Sequence, residues 1–444
     1  MKSVLLAFLL LLAAPAFAQA PPPEVEIFEW LGNFEGISAA GRAINRHGDV
    51  AGLAYQPTWA RGWFAFTYIG GVGQHYPTPT GHTGSAEAIN DAGVAVGYMP
   101  HLRMSEWYPR ATVFGGPTLF EGERSQARGI NSDGVITGFI RQAGSSAVFR
   151  WHPDGSLEVL NDIGLPSWAE GLAINDAGQI AGYYSDDTPM AESRLFILEP
   201  DNSITYLPHI TPEWPEPTAI NEAGHVVGVT YSYEGVSDLG FHWDGKAYTF
   251  LPMLPGDAGY SAARDINNLG QIVGYSRDCA PKRHCDDGVL WQDGVLYKLE
   301  DLAADFLLPD DYIGRTYSIT DNGWITGGGY NSATDKHEAY RMKLAEAPVA
   351  VEDAAAPAVF ALHAAYPNPF ANRATIAFDL PQPAPVRLVV YDVLGREVAV
   401  LVEGERTAGR HEVVFDGAGL PGGMYLVRLE AGAFAATQRV VLAR

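Results

Sequence analysis

One ten-residue pattern recurs seven times along this chain and constrains its fold more than any other feature. It reads small–Ile–Asn–x–x–Gly–x–apolar–x–Gly. The copies start at Ala43, Ala88, Gly129, Ala173, Ala219, Asp265 and, in weaker form with Thr for Asn, at Ser318. The Asn or Thr positions are separated by 45, 41, 44, 46, 46 and 53 residues. A period in the mid-forties marks a repeat architecture, and a propeller blade in particular.

The fourth copy shows how one period is built. Gly171 to Ile174 is a short apolar strand. Asn175-Asp-Ala-Gly178 is a turn, because Asn bonds its own backbone and Gly supplies positive φ. Gln179 to Tyr184 returns as a second strand, and Arg194–Leu198 and Ser203–Leu207 give the third and fourth. The third strand recurs at Ala147–Trp151, Gly240–Trp243 and Gly288–Trp291, and the fourth at Ser156–Leu160, Ala247–Leu251 and Val295–Leu299. Four antiparallel strands per period match a propeller blade. The repeated Asn reads as a turn residue bonding local backbone rather than a ligand. The seventh copy ends after its third strand, His337–Met342, while an unclaimed strand, Glu24–Gly32, stands at the other end. That strand is expected to complete blade seven and hide two open edges.

Composition narrows the setting. Of 444 residues, 47% are hydrophobic, enough for a large core. The formal net charge of -23 leaves no cationic surplus for phosphates, which argues against nucleic acid and anionic membrane. Residues 1–20 read as a signal peptide: Lys2, an apolar run Val4–Ala14, and Ala16-Phe17-Ala18 as cleavage site. No later run is apolar enough to span a membrane. The two cysteines, Cys279 and Cys285, suggest a disulfide in an exported chain. Its short loop limits the stabilisation to about 2–3 kcal/mol.

The repeats resemble the HAF-family extracellular repeat, named for a His-Ala-Phe motif before the third strand. Here the motif is degenerate: Phe64-Ala65-Phe66, Ser146-Ala147-Val148-Phe149 and His337-Glu338-Ala339-Tyr340. The resemblance spans residues 24 to about 344 and implies a secreted repeat protein without a settled activity.

Residues 345–360 are rich in Ala, Pro, Val and Glu and read as a linker. Beyond it six short strands separated by turn residues suggest a small β-sandwich. Three motifs there, Tyr366-Pro367-Asn368-Pro369-Phe370, Tyr391 to Glu397 (with Asp392, Gly395 and Arg396) and Gly419 to Tyr425 (with Gly423), resemble the type A sorting domain of the type IX secretion system. That resemblance implies the type IX machinery as a partner, passage through the outer membrane, and release or surface anchoring.

No catalytic signature stands out: no Gly-x-Ser-x-Gly elbow, no His-Glu-x-x-His, no Walker loop. No cofactor or metal is indicated. The acidic pairs Asp186-Asp187, Asp286-Asp287 and Asp310-Asp311 could contribute to calcium binding, but none has EF-hand spacing, and solvated loop charges are the better reading. The long loops opposite the Asn turns carry aromatic residues suited to a glycan or protein ligand, foremost Trp59, Trp107, Trp168, Trp214, Tyr260 and Tyr312.

The chain thus reads as all-β. A signal peptide (1–20) precedes a seven-bladed β-propeller (21–344). A linker (345–360) and an immunoglobulin-like β-sandwich (361–444) follow. The role it suggests is an exported, non-enzymatic binding or structural protein at the cell surface or in the medium. The alternative is a polysaccharide hydrolase or lyase acting at the variable-loop face.

Overall fold

The computed structural model describes residues 22–345 and 360–442, excepting 35–37, 57–61, 80–81, 104–105, 121–122, 143, 161–162, 186–192, 211–213, 232–237, 257–258, 278–284, 363–364, 366–372, 408, 418 and 433. The proposed signal peptide and, apart from Ala345 and Phe360 at its ends, the linker therefore lie outside the described residues. The chain is all-β and divides into two compact units, Met1–Ala347 and Pro348–Arg444.

In the first unit each sequence repeat is one antiparallel meander. Repeat one comprises Ser38–Ile44, Val50–Gln56, Gly62–Ile69 and Val72–Tyr76; repeat four comprises Trp168–Ile174, Ile180–Ser185, Ser193–Leu198 and Ile204–Tyr206. Repeat two departs from the expected four strands. Among the described residues it has three, Ser85–Ile89, Ala95–Arg103 and Glu106–Val113, with a bridge from Thr112 to Thr118 beyond them. The cause is local: Gly115-Gly116 make the turn and Pro117 has no N–H for a ladder. A short helix, Leu299–Leu302, follows repeat six and buries Leu299.

The Asn and the two Gly of the motif each have a physical reason. The Asn oxygen accepts backbone N–H bonds from within its own turn, as Asn45 Oδ1 does from His47 and Asp49 (3.0 Å each). The turn Gly is left-handed, with φ +78 at Gly48 and +81 at Gly178. The closing Gly packs against the first-strand backbone and, in repeats such as five and seven, lies under an aromatic ring of the third strand. A Cβ on Gly228 would clash with the Glu216 carbonyl oxygen, which is nearer still than Phe241 Cζ at 2.7 Å. One on Gly327 would clash with the Arg315 carbonyl oxygen, again nearer than Tyr340 Oη at 2.8 Å. These rings, with Phe66, Phe149 and Phe196, are fully buried and form the centres of the inter-strand cores.

The Asn amide does something further, which its reading as a local turn residue missed. Asn45 Nδ2 donates to the carbonyl of Asn90, Asn90 to Asn131, Asn131 to Asn175, Asn175 to Asn221, Asn221 to Asn267, and Asn267 to Thr320, at 2.9–3.3 Å. Thr320 has no amide. The step from repeat seven to repeat one is made instead by Asn322 Nδ2 to the Arg46 carbonyl (2.8 Å) and Arg341 Nη1 to the Gly48 carbonyl (2.7 Å).

The strand Val25–Gly32 pairs with Lys336–Leu344, the third strand of repeat seven, and so occupies the fourth-strand place there. Phe28 stacks on Tyr340 with centroids 5.7 Å apart, and Arg341 and Lys343 pair with Glu29 and Glu26 at 2.7 and 3.1 Å. A parallel bridge joins Ser38 of repeat one to His337 of repeat seven.

In the second unit, Ala361–Leu362, Arg373–Leu380 and Gly409–Asp416 form one sheet. Ala384–Tyr391, Glu397–Arg406, Gly423–Ala431 and Phe434–Leu442 form another. Both contribute to one buried cluster containing Phe378, Phe415, Leu388, Val390, Val427, Leu429 and Val440.

Two substitutions separate these roles. Asn221→Ala removes the turn acceptor and the inter-repeat donor together and should cost about 2–3 kcal/mol. Asn221→Thr, which imitates Thr320, should cost less, because a hydroxyl can still accept within the turn. Gly228→Ala should cost about 3 kcal/mol or more, because the new Cβ meets the Glu216 backbone carbonyl as well as Phe241 and the strand itself must shift. Urea denaturation of the three variants checks the order.

Candidate functional site

All seven repeats carry the same irregularity in their first strand. Pairing is regular up to Gly41–Gly52 and resumes at Ala43–Ala51, leaving Arg42 as an extra, unpaired residue. The same β-bulge isolates Glu87, Arg128, Leu172, Thr218, Arg264 and Tyr317. Bulges of this kind re-aim a side chain out of the sheet pattern. Here all seven bulge residues line one cavity of about 300 Å³ to which every repeat contributes.

The cavity is charged. Arg128 and Glu87 pair at 3.6 Å. Burial pushes the Glu87 carboxyl up, but Arg128, Arg42 and the Ser85 hydroxyl outweigh it and hold it below the ordinary carboxylate range. Arg42 and Arg264 instead face the Tyr317 ring, 4.4 and 6.0 Å from its centroid, and Arg264 Nη2 donates to Tyr275 Oη at 3.1 Å. Asp265 stands where other repeats have a small residue. Its carboxylate accepts from Ile266 N, Ser318 Oγ and Ile319 N, and burial pushes its pKa up to about 6.

Two further cavities flank this one. At the Asn turns, a cavity of about 430 Å³ is lined by the Asn ring and by the residues that follow it, including Asp91, Asp176, Glu222 and Asp321. These carboxylates accept the backbone N–H of the preceding repeat: Asp91 from Arg46 and Asp321 from Asn268, at 3.1 and 2.7 Å. At the hairpin ends remote from the turns, a cavity of about 440 Å³ is lined by Trp63, Cys285, Asp286, Tyr312, Arg315, Tyr317 and His337 among others. Tyr312 Oη lies 3.2 Å from His337 Nδ1, and Tyr330 stacks on Tyr312 with centroids 6.1 Å apart. Burial pushes the Tyr312 phenol up to about 12 and the His337 imidazole down. Asp286 is clamped between Arg277 and Arg315, at 2.7 Å from each.

The aromatic residues singled out from sequence fall as follows. Trp168, Trp214, Tyr260 and Tyr312 each open the first strand of successive repeats four to seven, opposite Ser185, Tyr231, Arg277 and Tyr330. They therefore share one end of the hairpins, away from the Asn turns. Tyr260 carries the Arg277 guanidinium 5.6 Å from its ring centroid. Trp107 sits in the repeat-two hairpin against His82, centroids 4.7 Å apart. Trp59 and most loops joining second to third strands lie outside the described residues.

Two expectations are corrected. Cys285 is a free, exposed thiol, so no Cys279–Cys285 disulfide is formed in this structure; Cys279 itself lies outside the described residues. The register leading into the loop, Arg277 opposite Asp286, is one residue out of step with such a pair. The acidic pairs are not simply solvated charges either. Asp287 is buried and pairs with Lys298 at 3.1 Å, and buried Asp311 accepts from Ser332 N and Oγ. Asp186-Asp187 lie outside the described residues. Among the described residues no group of three His, Cys, Asp or Glu side chains is placed to hold a metal.

In the second unit, Asp392 Oδ1 accepts from Leu394 N and Arg396 N, and Oδ2 accepts from Arg396 Nε at 2.6 Å. These donors, the Arg396 backbone first, hold its carboxyl below the ordinary range, and Gly395 takes φ +78 to complete the turn. Tyr425 Oη donates to the Pro421 carbonyl at 2.6 Å. Gly423 opens the strand that follows. Pro367, Asn368 and Pro369 lie outside the described residues.

Residues 364–443 match the secretion system C-terminal sorting domain. The chain thus carries the sorting signal for type IX export to the cell surface or the medium. No curated protein matches the chain. Among solved structures it is similar to PorZ of Porphyromonas gingivalis, a surface component of the type IX secretion system (13% identity, 93% of this chain and 60% of that one, TM-score 0.39). It is also similar to TolB of Acinetobacter baumannii (10% identity, 68% of this chain and 81% of that one, TM-score 0.36). The chain spans about three-fifths of PorZ, and likenesses at this level assign no activity. Among the described residues no helix is long and apolar enough to cross a membrane.

The acidic group at Asp265 gives a signed prediction. With its folded pKa raised, the native state holds more protons than the unfolded state between about pH 4 and 6, so this group lowers stability as pH rises through that window. Asp265→Ala, the residue most repeats carry there, should make the rise of Tm between pH 4 and 6 steeper than in the parent chain. A slope equal to or shallower than the parent's contradicts the assignment.

Proposed function

We propose that the first unit is a closed seven-bladed β-propeller of the HAF-repeat type. The second is an immunoglobulin-like sorting module that delivers it to the cell surface, and the propeller acts there as a non-enzymatic binding protein. Three observations support the closed ring: the Asn amide contacts that pass from repeat to repeat, the Asn322 and Arg341 contacts from repeat seven back to repeat one, and a central cavity lined by all seven repeats.

The binding reading rests on the Tyr312–Tyr330–His337 cluster. It stands at the cavity remote from the Asn turns, on the arc that continues through Tyr260, Trp214 and Trp168. Aromatic faces of this kind suit the apolar faces of sugars or the side chains of a peptide. Glycoside hydrolysis by two carboxylates needs both near the scissile bond. The carboxylate here, Asp286, is committed to Arg277 and Arg315. A lyase is the second reading, favoured by one observation: a tyrosine and a histidine in hydrogen-bond contact can act as an acid–base pair.

The test is a screen of neutral and acidic glycans against the mature chain, with every hit assayed for released reducing or unsaturated sugar. Binding without turnover, weakened roughly tenfold by Tyr312→Ala, is the expected result. Turnover abolished by His337→Ala would establish the lyase, and absence of binding would move the role to a protein ligand or a structural one.

A further inference from the structure

The seam between repeats seven and one carries the only Asn-Gly dipeptide of the whole sequence, Asn322-Gly323. Two structural needs meet there. The turn requires Gly at its fourth position, where Gly323 takes φ +84. Thr320 has no amide to pass to the next repeat, so Asn322, just before that Gly, supplies one to the Arg46 carbonyl at 2.8 Å. Repeats one to six place His47, Ala92, Asp133, Ala177, Ala223 and Leu269 at this position. Asn is thermolabile, and most so before Gly, where no side chain shields the next backbone nitrogen. The closed seam restrains the reacting atoms. Asn322 Oδ1 accepts from Thr320 Oγ1 at 2.7 Å, Asn322 Nδ2 is held by Arg46, and the Gly323 N–H donates to the Thr320 carbonyl at 3.1 Å. Asn322 itself is exposed, so water reaches it freely.

We infer that Asn322 is a deamidation site gated by the seam: it reacts when repeats seven and one part, and its product weakens their rejoining. In the reaction the Gly323 nitrogen bonds to Asn322 Cγ, and Nδ2 leaves with the displaced proton as ammonia. Water then opens the cyclic imide at either carbonyl, giving aspartate or isoaspartate. Either product lacks the amide donor to the Arg46 carbonyl and carries a carboxylate instead, which sets acceptor against acceptor. The new charge also stands next to Asp321 in the chain. Isoaspartate lengthens the backbone by a carbon inside a turn that Gly323 N and Trp324 N close on Thr320. The Arg341 contact to the Gly48 carbonyl does not use Asn322, so the seam is loosened rather than lost. The contacts of Asn322 and Gly323 must break together before the nitrogen can reach Cγ, which makes the rate a measure of local opening. The gate exists only if the ring proposed above is closed.

The experiment ages the mature chain in mildly alkaline buffer, native and in denaturing urea, and follows the tryptic peptide 316–336 by mass spectrometry. Deamidation raises its mass, and fragmentation separates Asn322 from Asn331 in the same peptide. The expected result is conversion at Asn322 in both samples, slower by about tenfold or more in the native one. Thr320→Val frees Asn322 Oδ1 and should speed conversion in the native chain several-fold, with the rate at Asn331 unchanged. Asn322→Asp, and the deamidated fraction of the parent, should unfold at a lower urea midpoint than the intact chain. Conversion as fast in the native chain as in urea, with Asn322→Asp unfolding at the parent midpoint, overturns the gate together with the ring. A Thr320→Val rate equal to the parent's also overturns the gate. A lowered midpoint in Asn322→Asp, with Asn322 unmodified in the long-aged native chain, leaves the ring standing and overturns the deamidation site.

Discussion

The hydrogen bond from one repeat's Asn amide to the next repeat's Asn carbonyl is the contact on which the rest of the first unit depends. A four-stranded meander buries one face against each neighbour and cannot stand alone. Its neighbours must therefore be set at a fixed distance and register. The Asn side chain does this because its two ends have different partners: the oxygen closes its own turn and the nitrogen reaches the next. Both groups are buried, so misplacing one repeat would leave unmet donors at two turns. Leu or Ala cannot do this, and Asp lacks the donor.

The same register explains why the functional groups sit where they do. With the turns pinned, the bulge in each first strand places its extra residue in the shared cavity, and the closing Gly leaves room for the first-strand carbonyl behind it. Variation at the bulge position then changes what lines the centre without disturbing the ladder. Arg42, Glu87, Arg128, Leu172, Thr218, Arg264 and Tyr317 differ in charge and size, while the flanking positions stay small except at Asp265. Chemistry and scaffold are thereby carried by separate positions of one short motif.

Much of this was legible in the sequence, and the exceptions have physical causes. The repeats, the turn role of Asn45 and its equivalents, and the N-terminal strand Val25–Gly32 beside Lys336–Leu344 follow from period, turn chemistry and strand counting. The reach of the Asn amide to the next repeat does not, because a side chain that satisfies a local turn gives no sign of a second, non-local partner. The bulge residues stand three before each Asn or Thr and are polar in every repeat but the fourth, where Leu172 stands, but strict alternation would put Arg42 on the same face as Ile44. Only the bulge, a feature of pairing rather than of composition, turns it into the shared cavity. The Cys279–Cys285 expectation failed for a similar reason: spacing alone does not fix cross-strand register. Asp286, read as a solvated charge, proved to be the anchor of two arginines, one from its own hairpin and one, Arg315, from the next repeat.

The central claim is that seven repeats are joined into one ring whose seam is closed by the N-terminal strand. Its most direct test is equilibrium unfolding in urea of the mature chain with and without residues 22–32. The account predicts one cooperative transition for the parent chain and a large drop in midpoint on deletion, since Phe28 and Trp30 leave the Tyr340 core and an edge opens at repeat seven. A midpoint unchanged by the deletion would contradict it.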